Sequence, residues 1–336
     1  MKHLVPIMVI LLMVSTSFVG VSYNFEKSST IAYDGNILYV GGSGPGNYTK
    51  IQDAIDNASD GDTVFVYSYW YFENVIINKS ISLTGEEGDM PSIIGDPAIT
   101  LLGDGAIVNG FEITSHLGHN SIFLSYSEGN KIYSNIILDC ISFVYSNNNK
   151  VYDNVLLQGQ NGMHLQKSNN NYLCYNSILE HREQSEPYGC GIILEDSDFS
   201  DISYNNFSDN DVGIWCINSN ENEINRNIFS NYHGSISLEQ SDKNNILENI
   251  FFSGNNIHLY NSYKNSINYN NIYNGANAYF TYTSFPFLFA NNWNNNYWGK
   301  SLFHPKIIFG SIGIIGLIPW INFDWHPAKE PYPIGV

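Results

Sequence analysis

The chain has 336 residues, with 14 Lys and Arg against 32 Asp and Glu and a formal net charge of −18. That balance excludes nucleic acid as a partner, because a phosphate backbone needs a basic face, and it argues against anionic lipid surfaces for the same reason. Only 14% of residues are charged and 15% are aromatic, which is the composition of a folded chain rather than a disordered one.

Residues 1–22 read as an export signal. Lys2 and His3 precede an apolar run from Leu4 to Val14, and the small residues Gly20 and Ser22 come after it. Cleavage is expected after Ser22; an uncleaved anchor is the alternative. Export gives meaning to the N-x-S/T triplets at Asn47, Asn57, Asn78 and Asn206, which would make the chain a glycoprotein. The segment from Thr49 to Ala58 has helical spacing at Ile51, Ala54, Ile55 and Ala58, with Thr49 as a candidate N-cap. It would cover the open end of the repeat region that begins beyond it.

That region repeats one template. Aligned on Ile122, Ile141, Met163, Ile192, Ile214, Ile236 and Ile257, every copy is apolar two residues on, from Leu124 to Leu259. Five residues on stand Ser127, Ser146, Ser168, Ser197, Ser219, Ser241 and Ser262. Ten on, the column runs from Ile132 to Ile267, and thirteen on it is Asn135, Asn154, Asn176, Asn205, Asn227, Asn249 and Asn270. The I-x-L step has the period of a strand with alternate side chains facing in. Successive template Asn lie 19, 22, 29, 22, 22 and 21 residues apart, so insertions collect at one corner.

A unit this small cannot bury its own face and must stack on its neighbours. The predicted fold is all-β: a right-handed parallel β-helix of roughly ten coils spaced at ~4.8 Å. The Ser and Asn columns fall at the turns, where side chains repeated from coil to coil hydrogen-bond along the axis and satisfy a bend that the backbone cannot. Val108-x-Gly110-Phe111-x-Ile113 reads as an earlier coil. Asn291-x-Trp293-x-x-Asn296-x-Trp298 reads as a last one whose large rings close the stack. The apolar run Ile307 to Ile321 holds 15 residues and several Gly, too short and too broken for a spanning helix. It is expected to pack on the end coil. The organisation is thus a signal over 1–22, a β-helix over 23–300 with regular coils from about 99 to 298, and a capping tail over 301–336.

These residues carry a resemblance. The entry NYTKIQDAIDNASDGDTVFV, then ENVIINKSISLTGE, GFEI and the N-x-I-x-x-N coils resemble the pectin-lyase-like β-helix superfamily, and within it the NosD-type branch. The repeats of that branch are described as a carbohydrate-binding and sugar-hydrolase module. The likeness covers about residues 37–300. It implies an exported protein at the cell surface or in the periplasm, with copper suggested by the family name alone.

If the Ile122-type positions face in, residues one and three past each anchor face out. That face carries His164, Gln166, Ile193, Glu195, Trp215, Ile217, Glu239, His258 and Tyr260. Exposed rings on a polar surface stack on sugars, so Trp215, Tyr260, His164 and His258 are candidate glycan contacts. The Leu179–Tyr188 insertion, with His181 and Arg182, is expected to wall the groove beside Trp215.

No catalytic set is assigned. The nearest is Glu195 and Glu239, two coils apart at ~9.6 Å, near the upper limit for an inverting carboxylate pair, with Arg182. No metal set is assigned either. Asp196, Asp198 and Asp201 crowd one coil and would suit calcium; His304 and His326 are the remaining copper candidates. The four cysteines show no metal spacing and are either buried thiols or two disulfides. The leading reading is a non-enzymatic protein that displays a glycan-contacting face. A polysaccharide lyase or hydrolase and a copper-handling maturation factor remain as alternatives.

Overall fold

The computed structural model describes residues 35–183, 189–252, 255–273, 277–283, 290–313 and 318–335. The expected export signal over 1–22 and residues 184–188 of the Leu179–Tyr188 insertion lie outside these residues. The fold is a right-handed β-solenoid of about 11 turns, close to the expected ten.

Each regular coil contributes three strands. The first is the longest, six residues in Cys190–Glu195 or Val212–Ile217, and carries the I-x-L step. The second is three residues around the Ile132-type position, and the third three residues or fewer around the Ile137-type position. Among the described residues the third strands form a ten-stranded sheet, while the first and second strands form two ladders within one 24-stranded sheet. Pairing is parallel from coil to coil, and the template columns fall in register: Ile192 on Ile214, Ile214 on Ile236, Ile202 on Ile224. The inward Ile, Leu, Val and Phe are buried and make one continuous core. Phe207, Phe229 and Phe251 stack within it.

The corners are held by side-chain columns. Asn154 Oδ1 accepts from the backbone N–H and the Nδ2 of Asn135, both at 3.1 Å. The same pair of bonds links Asn154, Asn176, Asn205, Asn227, Asn249, Asn270 and Asn296 in turn. The column ends on the buried Asp324, whose Oδ2 takes Asn296 N–H, Asn296 Nδ2 and Trp298 Nε1. Ser127 to Ser262 make a second column, each backbone N–H donating to the next Ser Oγ. A further column runs with opposite polarity on the outside: Asn169 N–H donates to Asn147, Asp198 N–H to Asn169, Asn220 N–H to Asp198 and Asp242 N–H to Asn220.

The bends themselves are left-handed. The residue before each template Ser (Tyr126, Tyr145, Lys167, Asp196, Asn218, Gln240, Asn261) has φ between 47 and 50°. The residue before each template Asn, Ser134 to Tyr269, has φ between 52 and 58°. This conformation is unfavourable for L-residues, so no propensity rule reads it from the sequence. It persists because the column bonds on the next residue fix the turn.

The N-terminal end is covered by helix α1 (Ile51–Asn57), which buries Ile51, Ala54 and Ile55. Its N-cap residue is Lys50, with no side-chain cap, rather than Thr49. The coil beneath supplies the caps instead. Glu73 accepts from the N–H groups of Ile51 and Gln52, and Lys79 Nζ donates to the carbonyls of Ile55, Asp56 and Ala58. A carboxylate at the N-terminus and an ammonium at the C-terminus also match the helix dipole.

At the other end Trp293 continues the Ile267 column, and Trp293 and Trp298 are buried. Strands Lys306–Ile312 and Ile318–Asp324 then form an antiparallel hairpin that pairs with Asn277–Tyr282 and joins the two long ladders.

Candidate functional site

The outward face of the long first strands is set by their register. One column reads Ser142, His164, Ile193, Trp215, Ser237, His258, Tyr279, Phe309 down the axis. Two residues further along each strand, the neighbouring column reads Val144, Gln166, Glu195, Ile217, Glu239, Tyr260, Thr281, Ser311. His164, Trp215, His258 and Tyr260 therefore lie on one face, and all four are half-buried.

Glu195 organises the upper part of this face. Its Oε2 lies 3.4 Å from His164 Nε2 and accepts from Gln166 Nε2 at 3.3 Å. Glu239 lies in the same column two coils below, with Ile217 between them. Trp215 sits between Ile193 and Ser237, with its Nε1 buried and without a hydrogen-bond partner. Lower down, the His258 and Tyr279 rings stack at 4.0 Å, and burial holds His258 at a pKa of about 4 and so neutral. Tyr279 is 38% exposed and Phe309 68%. Sequence alignment missed both rings, because their coils lose the template. The trace of a coil was present in Ala278-x-Phe280 with Thr283 five residues on, a degenerate I-x-L with its hydroxyl.

Of the insertion's described residues, His181 turns into the core and Arg182 is tied to the corner. His181 is fully buried, against Gly162, in the place where the next coils carry Asn210 and Asn231. Its backbone N–H bonds to Asn210, while its ring nitrogens make no hydrogen bond of ordinary geometry. Burial pushes its pKa down to about 4, outweighing the nearby backbone of Gly159, Leu156 and Gln158. His181 is thus a core residue and not a ligand contact.

Arg182 pairs with Asp209 at 3.2 Å and lies 4.0 Å from the Tyr232 ring centroid. The buried Asp211, unremarked in the sequence, accepts from the N–H groups of Glu183 (2.8 Å) and Gly189 (3.0 Å) and so pins both ends of the loop. These contacts hold the loop base at the corner before Val212.

The acidic coil is spent on structure. Asp198 Oδ1 accepts from Asn220 N–H and Nδ2. Asp201 lies between Tyr172 and Glu223 on the second-strand ladder, its carboxyl pushed up by burial, and Asp196 is exposed at a bend. His304 Nδ1 meets the Pro305 carbonyl and His326 Nδ1 meets Asn294 Oδ1.

One polar cluster was not foreseen. Three successive coils bring together Asp96, Ser115, His119 and Asp139. Asp96 accepts from Ser115 Oγ at 2.7 Å and lies 3.2 Å from His119 Nδ1. The Ser115 bond, with help from His119, holds the Asp96 carboxyl low; burial, with help from Asp96, pushes that of Asp139 up.

A family model described as periplasmic copper-binding protein (NosD) matches residues 55–235. The chain belongs to the NosD family. No curated protein sequence matches it. Among solved structures, XylC in complex with xylose is 13% identical with a TM-score of 0.58, over 87% of this chain and 73% of that one. The Dettilon tailspike protein is 13% identical with a TM-score of 0.56, over 84% of this chain and 60% of that one. A polygalacturonase from Erwinia carotovora ssp. carotovora is 10% identical with a TM-score of 0.47, over 74% and 92%. At such identity the likeness to XylC and the tailspike is one of fold.

Copper, named in the NosD description, requires clustered imidazole, thiolate or thioether ligands. Among the described residues no three His, Cys, Asp or Glu side chains gather to hold an ion. Cys140, Cys174, Cys190 and Cys216 form no disulfide and are buried, with burial pushing each thiol up to about 12. The described residues of this NosD-family chain do not fit copper. Nor is any of its described helices long and apolar enough to cross a membrane.

Proposed function

We propose that this NosD-family chain is an exported, non-enzymatic β-helix that presents a glycan-contacting face. The observation that carries the reading is the outward column in which Trp215, His258, Tyr279 and Phe309 succeed one another down the rod, with rings that become more exposed towards the C-terminal end. Exposed rings with carboxylates and hydroxyls in the neighbouring column offer a sugar apolar contact and acceptors for its hydroxyls. The fold relative solved with xylose bears the same architecture, which supports a sugar as ligand.

The test is affinity electrophoresis or a glycan array with the wild-type chain, Trp215→Ala and Tyr279→Ala. Tyr279 is exposed, so its loss should abolish retention with little change in melting temperature. Trp215 is half-buried, and its loss should also cost ~1–2 kcal/mol of stability. Unaltered retention by Tyr279→Ala would refute the reading.

The enzymatic alternative has one observation in its favour. Asp96 and Asp139 are carboxylates whose environments push their pKa values apart, as acid and base roles require. Hydrolysis of a polysaccharide by the wild-type chain, lost in both Asp96→Asn and Asp139→Asn, would establish it in place of the binding reading.

A further inference from the structure

We infer that the outward face is selective for uncharged oligosaccharides laid along the rod axis, and that it rejects polyuronates. The inference rests on the glycan-face reading and adds the chemical class of the ligand.

The first observation is charge. From Ser142 to Phe309 and from Val144 to Ser311, the two outward columns contain no Lys or Arg. Their formal charges are the carboxylates of Glu195 and Glu239. Of the cations near these columns in sequence, Lys167 meets Tyr145, Arg182 pairs with Asp209, Arg226 with Glu248 and Lys243 with Glu221, and Lys306, three residues before Phe309, lies over the Trp298 ring. A polyuronate carries a carboxylate on every sugar. It would meet the two glutamates with no Lys or Arg in either column to offset them, on a chain of net charge −18. Each like-charge contact a few ångströms apart near a protein surface weakens binding severalfold.

The second observation is shape. The ring column from Trp215 to Phe309 spans four coil steps, ~19 Å at the parallel-strand spacing. Its rings lie along the axis, not across it, with Ser237 as the one small residue between Trp215 and His258. A single sugar meets one or two of these rings. A chain laid along the column meets all of them, so binding grows with oligosaccharide length. Glu239 lies beside this track and Glu195 one coil above its start; both accept hydrogen bonds from hydroxyls, which neutral sugars carry and which a deprotonated uronate carboxylate cannot supply.

The experiment measures binding of the full chain to neutral xylan and β-glucan, and to polygalacturonate and alginate, at low and at high salt. Wild-type protein should bind a neutral polymer and hold polyuronates at least about tenfold more weakly at low salt, with the gap narrowing as salt screens the glutamates. The Glu195→Gln, Glu239→Gln double variant should gain polyuronate binding at low salt, and an unchanged polyuronate affinity would overturn the inference. Wild-type binding of a polyuronate as tight as that of the neutral polymers overturns this inference and leaves the glycan face standing. Binding to neither class, with the protein folded by circular dichroism, overturns the glycan-face reading and this inference with it.

Discussion

Replacing Asn227 by alanine puts the ladder account to a quantitative test. Asn227 lies inside the column, fully buried. Its Oδ1 accepts from Asn205 N–H (2.9 Å) and Asn205 Nδ2 (3.1 Å), and its Nδ2 donates to the Ile202 carbonyl (2.8 Å) and Asn249 Oδ1 (3.1 Å). Alanine keeps the backbone N–H at 227, so Asn249 Oδ1 retains a donor. Asn205 Nδ2 retains the Leu173 carbonyl. The substitution leaves an Asn205 N–H without an acceptor, deep in a corner closed to water.

One unsatisfied buried group costs ~1–3 kcal/mol, and the emptied side-chain volume adds to it. A loss of about 3 kcal/mol is expected, a large part of the ~5–15 kcal/mol that holds a domain together. Urea denaturation measures the loss through the shift in midpoint. Hydrogen exchange locates it, because the Asn205 amide should lose protection while amides three coils away keep theirs. A loss below about 0.5 kcal/mol with the Asn205 amide still protected would refute the reasoning.

Acid should weaken the fold through His181, with His258, also held near 4 by burial, adding to the same window. The folded pKa of His181, about 4, lies below the ordinary 6.5. Between those values only the unfolded chain takes the proton, so stability falls as pH drops from about 6.5 to 4, by up to roughly 3 kcal/mol. His181→Asn, which places the next coils' own residue at that corner, should flatten the urea-midpoint curve in this window relative to wild type; an unchanged slope would show that the ring is not the sensor. Asp211→Ala should release both ends of the loop, and limited proteolysis between residues 183 and 189 should quicken several-fold; a cleavage rate equal to wild type would remove Asp211 from its anchoring role.

The reading of the coils needed little beyond the sequence. Ile at 0, an apolar residue at 2, Ser at 5 and Asn at 13 are properties of a single unit, and repetition makes them visible. Register came with them, because parallel stacking of identical units leaves one alignment that buries every Ile. The outward positions of His164, Trp215, His258 and Tyr260 came from the same alternation. The sequence alignment lost the chain where that period weakens. The coil of Tyr279 has Ala278 in the Ile column and Thr283 in the Ser column, and so its exposed ring passed unnoticed.

The sequence by itself therefore determined the solenoid, its corner columns and which side chains point outward, since each depends on local spacing and on like stacking on like. Tertiary structure alone decided the fate of residues whose partners lie a coil or more away. Spacing at 179–188 says that a loop leaves the corner. It cannot say that His181 replaces an Asn inside, that Arg182 reaches Asp209, or that Asp211 clamps the ends, because those partners are 22 to 29 residues distant. The capping of α1 by Glu73 and Lys79 instead of Thr49 has the same origin. So does the extension of the aromatic column onto Phe309, which joins a face begun some 150 residues earlier only once the hairpin at 306–324 docks on the last coil.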